Sequence, residues 1–267
     1  MTTYNGILSK MATSYDESTK AVSYQLVLDN EKVLDMNPLV GSTVRLCFNR
    51  RISCVHCGRN VRKTYSQGYC YPCSQALPQA DMCMMKPEQC HYHLGTCRDP
   101  AWGEAHCFKQ HFLYLARSSG IKVGITRDGV HRWMDQGALE ALVIGHFDNR
   151  LDVGKAEKAI SAEVSDKTNW RNMLKNVVTD KPFEPIIELA RNIIKEQFGD
   201  NLIDDKKVFE FVYPVKEYPQ KVTSLKLDKC PFLEDELTGI KGQYLIFGDR
   251  VINLRAHTGY SVEFSHE

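Results

Sequence analysis

The chain has 267 residues, of which 43% are hydrophobic and 25% are charged, a composition typical of a globular protein that buries a core. The formal net charge is +1, so no overall field attracts nucleic acid and any basic contact surface must be local. No stretch approaches the roughly 18 apolar residues of a membrane span, and the first residues lack the basic and apolar regions of a signal peptide. The composition therefore excludes collagen-like, disordered and membrane classes and predicts a cytoplasmic protein.

The first segment, residues 1–52, is predicted to form β-strands. Residues 22–28 and 44–48 are rich in β-branched and aromatic side chains that partly alternate with other residues. Pro38 and Gly41 separate these two runs and are typical of a turn. We therefore predict an N-terminal β segment.

Residues 53–110 differ in character from the rest of the chain. Eight of the ten cysteines and five of the nine histidines fall between Cys54 and His111. Apolar periodicity is lost here, so hydrophobic burial alone does not offset the conformational entropy of ordering this segment. We therefore predict a zinc-binding region with two sites.

The first site is predicted from two Cys-x2-Cys pairs separated by 12 residues, the spacing of a zinc ribbon. Its four thiolate ligands are Cys54, Cys57, Cys70 and Cys73. Two disulfides are one alternative, which a reducing cytoplasm disfavours, and an iron–sulfur cluster with the same ligands is another. The spacing favours a structural zinc ion.

The second site is predicted from Cys83, Cys90, Cys97 and Cys107. Their spacing matches no common zinc finger, but four thiols in a segment poor in core residues favour a metal over free buried cysteines. A histidine in place of one cysteine is the alternative, and the candidates are His91, His93, His106 and His111. Four thiolates leave no open coordination position, so both zinc ions are expected to be structural.

A local basic patch surrounds the first predicted zinc site. Residues 45–75 carry six arginine and lysine residues and no acidic residue. Three tyrosines are interleaved with these cations, and their rings offer surfaces on which bases stack. We predict contact with DNA or RNA through Arg59, Arg62 and Lys63, and a merely solvated basic surface is the alternative.

From residue 111 the chain regains ordinary apolar periodicity, and residues 111–200 are predicted to form an α/β domain. Strands are predicted at 112–116 and Ile121–Thr126, and helices at 130–141, 152–165 and Glu184–Phe198. The last segment, 201–267, returns to strands, at 208–213, 243–247, 251–255 and 260–264, with a hairpin turn at 248–249. We predict an α+β protein in which both ends of the chain contribute to one small β domain.

Four residues of the α/β domain occur in a characteristic order: Tyr114 in the first strand, Gly124 in the second, Arg132 in the next helix and Glu157 in a later one. This order resembles the GIY-YIG nuclease superfamily, in which a hairpin carries Gly-Ile-Tyr and Tyr-Ile-Gly and the helices carry an arginine and a metal-binding glutamate. Lys122 stands in the place of the second signature tyrosine. The whole chain is similar to a family of bacterial proteins of unknown function, in which the cysteine pairs and the stretches 96–104, 122–127 and 132–138 recur together.

The superfamily resemblance implies a phosphodiesterase that depends on Mg2+ or Mn2+. In such a site Tyr114 orients the attacking water, Arg132 clamps the phosphate and Glu157 holds the divalent ion. Lys122 is predicted to bind phosphate, and to act as a base only if its pKa is lowered substantially. Further contacts with nucleic acid are predicted at Thr126, Arg127 and Gln136.

Three functions stay open from the sequence. The leading one is a zinc-containing, nucleic-acid-binding protein that retains phosphodiesterase activity. The alternatives are an enzyme that takes a nucleotide or a modified RNA as its ligand, and a non-catalytic adaptor for nucleic acid or protein with zinc as its scaffold. The near-neutral charge favours an adaptor, whereas the basic segment 45–75 favours nucleic acid.

Overall fold

The computed structural model describes residues 2–164, 169–199, 201–203 and 207–266. It shows a mixed α+β architecture with several sheets, as predicted. The strands are β1 (Thr2–Ile7), β2 (Ala12–Tyr15), β3 (Val22–Leu28), β4 (Glu31–Asp35), β5 (Thr43–Ser53), β6 (Asn60–Val61), β7 (His111–Arg117), β8 (Ile121–Thr126), β9 (Glu140–Phe147), β10 (Phe209–Glu210), β11 (Thr223–Ser224), β12 (Phe232–Glu236), β13 (Gly239–Lys241), β14 (Tyr244–Phe247), β15 (Arg250–Asn253) and β16 (Tyr260–His266). The α-helices are α1 (Tyr71–Ala76), α2 (Pro100–Cys107), α3 (Gly129–Asp135), α4 (Arg150–Ser161), α5 (Trp170–Leu174) and α6 (Glu184–Phe198).

The central sheet has the strand order β10-β9-β7-β8 and is antiparallel throughout. β7 and β8 form the predicted hairpin, in which Tyr114 lies opposite Gly124. Side chains of β7 alternate between the two faces, so Leu113 and Leu115 pack with α4 and α6 on one side. Tyr114 faces the other side, where it packs against Trp133 of α3. α4 and α6 thus cover one face of the sheet, and α3 packs on the tyrosine face.

The predicted helix over 130–141 is wrong in its second half. α3 ends at Asp135, and residues Glu140–Phe147 form β9, the strand beside β7. The chain leaves the helix through Gly137 with a φ of +69°, and the three N–H groups of residues 136–138 bond back to carbonyls of the last turn. Glycine adopts this left-handed conformation without a Cβ clash, so it ends the helix before the apolar run ends.

The other predicted elements of this region agree with the structure to within a few residues. β8 and α6 have the predicted bounds. α4 begins two residues before the predicted helix over 152–165 and ends at Ser161, and Ser165 lies outside the described residues. Asn149 precedes α4 and caps it by accepting a hydrogen bond from the Asp152 N–H at 2.9 Å.

One sheet joins strands from both ends of the chain, as the sequence predicts. Its order is β1-β16-β5-β12, with Thr2 opposite His266, and β6 pairs with the end of β5. The predicted turn at 248–249 connects β14 to β15. Side chains from both ends pack in one apolar core with Tyr114 and Trp133 of the α/β region. The domain bounds proposed from the sequence stay predictions.

Two smaller sheets complete the described fold, β2-β3-β4 and β11-β15-β14-β13. In the second of these, β11 and β15 pair in parallel. Between α1 and α2 the chain forms short 3-10 turns instead of longer elements. In the part of the chain that the structure describes, no helix is both long and apolar enough to cross a membrane.

Candidate functional site

The first cysteine quartet forms a compact group. The sulfur atoms of Cys54, Cys57, Cys70 and Cys73 lie within 4.8 Å of one another. Those of Cys57 and Cys70 are 3.8 Å apart, about the edge of a tetrahedron whose centre lies ~2.3 Å from each sulfur, as in a zinc site. The predicted cluster is therefore confirmed as a group that fits a structural metal such as zinc.

The backbone around Cys54 favours its thiolate. Burial alone would raise the pKa of Cys54, but backbone N–H groups, those of Cys57 and Cys70 first, donate to its sulfur and hold the pKa at about 6. The Cys70 nitrogen lies 3.2 Å from that sulfur. Gly68 allows this approach, since its φ is +100° and a Cβ there would lie 2.9 Å from a Val55 methyl carbon. The backbone thus supports the thiolate of Cys54, whereas the hydrogen bond with Cys70 and further contacts with the neighbouring sulfurs raise the pKa of Cys73 to about 12.

The second quartet is arranged differently. Its four cysteines line one cavity of about 20 Å3, but among the described residues their sulfurs do not form a group within 4.8 Å. The ligand atoms that do are those of Asp81, Cys83 and His91. Of the other candidate histidines, His106 bonds to a carbonyl within α2 and His111 is buried in β7. The four-thiolate ligand set for a second zinc stays a prediction.

A larger cavity of about 400 Å3 lies where β8, α3 and α4 meet. Seven residues that the sequence analysis assigned to catalysis or nucleic-acid binding line it together: Tyr114, Lys122, Thr126, Arg127, Arg132, Gln136 and Glu157. They come from β7, β8, α3, α4 and the adjoining turns, so the fold gathers side chains that are well separated in the chain. Their chemical roles stay predictions.

Gly124 makes room for the Tyr114 ring. A Cβ at residue 124 would lie 2.5 Å from the Tyr114 Oη and 2.6 Å from its Cζ, far inside van der Waals contact. The tyrosine ring therefore occupies the space that a side chain on the neighbouring strand would fill. Glycine is required here by close approach.

The Tyr114 hydroxyl is held among cavity residues. Tyr114 is 1% exposed, and its hydroxyl donates to the Gln136 Oε1 at 3.2 Å. Burial raises the pKa of Tyr114, and the nearby Arg132 guanidinium acts in the opposite direction without reversing the shift. The phenol is therefore protonated near neutral pH, which is the state in which its hydroxyl donates to Gln136.

Positive side chains outnumber negative ones around the cavity. The lysines and arginines that line it are Lys10, Lys122, Arg127, Arg132, Arg150 and Arg255, and the carboxylates are Asp128, Asp135 and Glu157. Asp135 is already engaged, since it lies 2.7 Å from the Lys10 Nζ and accepts from the Gln243 Nε2 at 2.8 Å. The surplus of cations favours an anionic ligand.

Arg150, at the start of α4, adds a half-buried cation to this wall. Its guanidinium donates to the Met84 carbonyl at 2.9 Å, while its Nε–H is buried without a hydrogen-bond partner. Burial lowers the pKa of Arg150, but an arginine stays charged at any physiological pH. A buried charged donor without a partner costs about 1–3 kcal/mol or more, and the charge of the guanidinium adds to the positive wall of the cavity.

The sequence analysis missed Lys10, Arg150 and Arg255. Lys10 and Arg255 lie in segments remote from the α/β motif, and no local pattern marks them as site residues. Arg150 could have been found, because it lies seven residues before Glu157, which places both on one face of the same helix two turns apart.

The nucleic-acid contacts predicted in the ribbon, residues 54–73, lie outside the cavity. Arg59, Arg62 and Lys63 are exposed and do not line it, although Gln67 from the same ribbon does. The Lys63 Nζ lies 5.0 Å from the centre of the Tyr65 ring. The structure thus places these cations on a separate exposed surface.

The stretch 135–138, the second half of the recurring stretch 132–138, holds the end of α3 in place. Each of its residues contacts a different part of the molecule: Asp135 bonds to Gln243, Gln136 to Tyr114 and Ala138 to Tyr213, and a Cβ on Gly137 would lie 2.5 Å from the Met173 sulfur. These contacts fix the cavity wall that Asp135 and Gln136 form.

Comparison with known proteins gives one match. The model of a family described as "Protein of unknown function (DUF2797)" matches residues 41–262. This range includes both cysteine quartets and every lining residue of the large cavity except Lys10. No curated protein and no solved structure matches the chain.

Proposed function

The chain belongs to the DUF2797 family of proteins of unknown function, and we propose that its large cavity binds the phosphate groups of a nucleic-acid strand. The proposal follows from one observation. Seven residues selected from the sequence for phosphate chemistry line one cavity, and three further cations that the sequence did not indicate line it with them.

The cavity has the donors that phosphate recognition requires. Arg132 offers paired N–H groups that match the geometry of phosphate oxygens, and Arg127 lies on the same wall. Lys122 adds a point charge, and the Thr126 hydroxyl adds a neutral donor. Because the partly enclosed wall limits screening by water, these cations attract a phosphate more strongly than exposed ones do.

Exposed aromatic rings on the ribbon support a nucleic-acid ligand over a small anion. Tyr65 and Tyr71 are 36% and 58% exposed, with ring centres 5.5 Å apart. Exposed rings near cations are a common platform for unpaired bases. Gln67 of the ribbon lines the cavity. A nucleic-acid strand whose phosphate occupies the cavity would therefore extend past Gln67 toward these two rings.

Binding is tested by fluorescence anisotropy with labelled single-stranded and duplex DNA and RNA over a salt series. Arg132→Ala should weaken binding about 10- to 100-fold, since a charge-assisted hydrogen bond contributes about 1.5–3 kcal/mol, and should reduce the salt slope by about 0.7–0.9 for each phosphate that the variant no longer neutralises. Lys195→Ala, an exposed cation of α6, is the matched control. Equal affinity and salt slope for the two variants would overturn the proposal. Replacing Arg59, Arg62 and Lys63 with alanine tests the ribbon separately.

Hydrolysis of the bound phosphodiester is the second candidate function, favoured because Tyr114, Arg132 and Glu157 line the same cavity. Mg2+ in proteins commonly takes one or two carboxylates together with substrate oxygens, and Glu157 and Asp128 fit that donor set. A divalent ion bound there would polarise a phosphate oxygen. Arg132 would bind the phosphate and Tyr114, kept protonated by burial, would orient the reacting groups by donating a hydrogen bond. The order of hairpin, arginine helix and glutamate helix supports the resemblance to GIY-YIG nucleases.

Cleavage is tested with Mg2+ and Mn2+ on the same oligonucleotides. Glu157→Gln keeps the size of the side chain and removes its charge, so it should abolish cleavage and leave binding within about threefold. Glu163→Gln, just after α4, removes an exposed carboxylate and serves as the control. A wild-type protein that binds strands but cuts neither DNA nor RNA in either metal would overturn hydrolysis and leave binding in place.

A further inference from the structure

A second group of metal-binding side chains lies in the segment between α1 and α2. Asp81, Cys83 and His91 have ligand atoms within 4.8 Å of one another. All three also line the cavity of about 20 Å3 that the second cysteine quartet surrounds. A carboxylate, a thiolate and an imidazole are the three kinds of protein ligand that zinc takes.

Both ring nitrogens of His91 have a polar neighbour. The Thr96 hydroxyl donates to the His91 carbonyl at 3.3 Å, and its oxygen lies 2.8 Å from the His91 Nδ1. When Nδ1 carries the ring proton, Nε2 presents its lone pair to the Asp81 Oδ1, which lies 3.5 Å away. Two lone pairs that face each other repel, and a cation between them removes the repulsion.

We propose that Asp81, Cys83 and His91 bind one zinc ion, whose fourth ligand is Cys90 or Cys107. With bonds of about 2.0–2.1 Å to nitrogen and oxygen, tetrahedral zinc separates these two atoms by about 3.4 Å, and the structure has them 3.5 Å apart. Cys90 and Cys107 line the same small cavity.

In the proposed ligand set, Asp81 and His91 replace two of the four thiolates, and Cys97 is one of the two. Cys97 also lines the small cavity, but its thiol donates to the Asp99 carbonyl at 3.4 Å. The outer contacts support the mixed set, because the second carboxylate oxygen of Asp81 lies 2.6 Å from the Arg98 Nε. Zinc ligands in proteins are commonly oriented by such second partners, as Arg98 orients Asp81 and Thr96 orients His91.

A metal at this site would also fix one wall of the large cavity. Cys83 is followed directly by Met84, whose carbonyl accepts from Arg150. Pro87 packs against α4 at Gly154, where an added Cβ would lie 2.5 Å from the Pro87 Cβ. Met84 and Pro87 both line the large cavity. The metal would therefore hold the segment that positions Arg150, a consequence that rests on the proposed function.

The ligand set is tested first on the wild-type protein by zinc X-ray absorption. With one four-thiolate site and one mixed site, each zinc should have on average about three sulfurs at ~2.3 Å and one nitrogen or oxygen at ~2.0 Å. An average of four sulfurs would overturn the proposal. Metal analysis should return about two zinc ions per chain, and a single zinc or iron in its place would also overturn it.

Variants then separate the mixed set from the four-thiolate set. His91→Ala should lose one zinc ion, and the matched Cys97→Ser should retain both. The reverse pattern, loss with Cys97→Ser and retention with His91→Ala, would establish the four-thiolate set instead. These metal counts do not depend on whether the large cavity binds nucleic acid.

The link to the large cavity is measured on the same two variants by oligonucleotide anisotropy. His91→Ala should lower affinity about tenfold or more while Cys97→Ser leaves it unchanged, because the wall is released only when the metal is lost. A lost zinc with unchanged affinity would overturn the link. Absence of binding by the wild type would refute the proposed function, and the zinc measurements would still decide the metal site.

Discussion

Replacing Gly124 with alanine should disrupt the tyrosine that lines the cavity without disturbing the backbone. The new Cβ would lie 2.5 Å from the Tyr114 Oη and 2.6 Å from its Cζ, where ordinary contacts lie at 3.4–4 Å. The ring must therefore retreat by about 1 Å, yet it is 1% exposed and packs edge-on against Trp133 with ring centres 5.6 Å apart. Because packed side chains surround the ring, such a shift must displace its neighbours.

The expected loss combines two effects. Overpacking of a filled core costs about 1–3 kcal/mol of unfolding free energy. Retreat of the ring also breaks the bond from the Tyr114 hydroxyl to Gln136, which contributes about 0.5–1.5 kcal/mol. We expect Gly124→Ala to lose about 2–4 kcal/mol, a fall in melting temperature of about 2–4 °C for each kcal/mol in a chain of this size.

The assay is urea unfolding followed by circular dichroism. Gly120→Ala is the matched control, because a Cβ at Gly120 would meet no atom within 4 Å and the residue lies in the same hairpin. It should change the unfolding free energy by less than about 0.5 kcal/mol. In a background that carries Tyr114→Leu, Gly124→Ala should lose most of its effect. If Gly124→Ala is as stable as Gly120→Ala, the close packing of the ring on residue 124 is not a constraint on the fold.

Two further predictions concern the first metal site and a buried histidine. Cys70→Ser should lose one zinc ion and expose residues 54–73 to hydrogen exchange, because binding energy at a structural site is folding energy. The control Cys230→Ser, outside both quartets, should retain all zinc. An unchanged metal content in Cys70→Ser would contradict the site. Burial lowers the pKa of His111 to about 4, with Arg150 and Arg127 acting in the same direction. Below about pH 6.5 the histidine is protonated in the unfolded chain, whereas in the folded protein it stays neutral down to about pH 4. The unfolding free energy should therefore fall as the pH is lowered from about 6.5 to 4, by up to about 1.4 kcal/mol per pH unit. His111→Gln should flatten this part of the profile, and equal slopes in wild type and variant would show that His111 does not titrate on unfolding.

The periodicity of apolar residues predicts those strands and helices whose whole length follows one pattern. β8 and α6 have the predicted bounds because their periodicity matches one element type throughout. The helix over 130–141 was extended too far, since its apolar residues continue beyond Gly137 into a strand whose pairing partner lies elsewhere in the chain. Whether an apolar run continues a helix or joins a sheet depends on that partner, which the local sequence does not show.

The candidate sites also contain a part that local spacing predicts and a part that depends on residues distant in the chain. The spacing of Cys54, Cys57, Cys70 and Cys73 is enough to predict their grouping, because two short knuckles close on one ion. The mixed group around His91 depends on how 3-10 turns bend the chain, and spacing alone did not favour it. Lys10 reaches the large cavity through its contact with Asp135, a pairing across more than a hundred residues that no motif encodes.

The sheet that joins β1 to β16 has a consequence for biosynthesis. β16 pairs with β1 on one side and with β5 on the other, so both earlier strands leave the ribosome long before their common partner is made. Until then each presents an open edge, which is a template for association with other chains. Lys10 and Arg255, which complete the cavity, flank the strands of this sheet in the chain. Arg255 therefore reaches the cavity only long after Lys10 has been made, and refolding should be slow because contacts between residues far apart in the chain lower the folding rate.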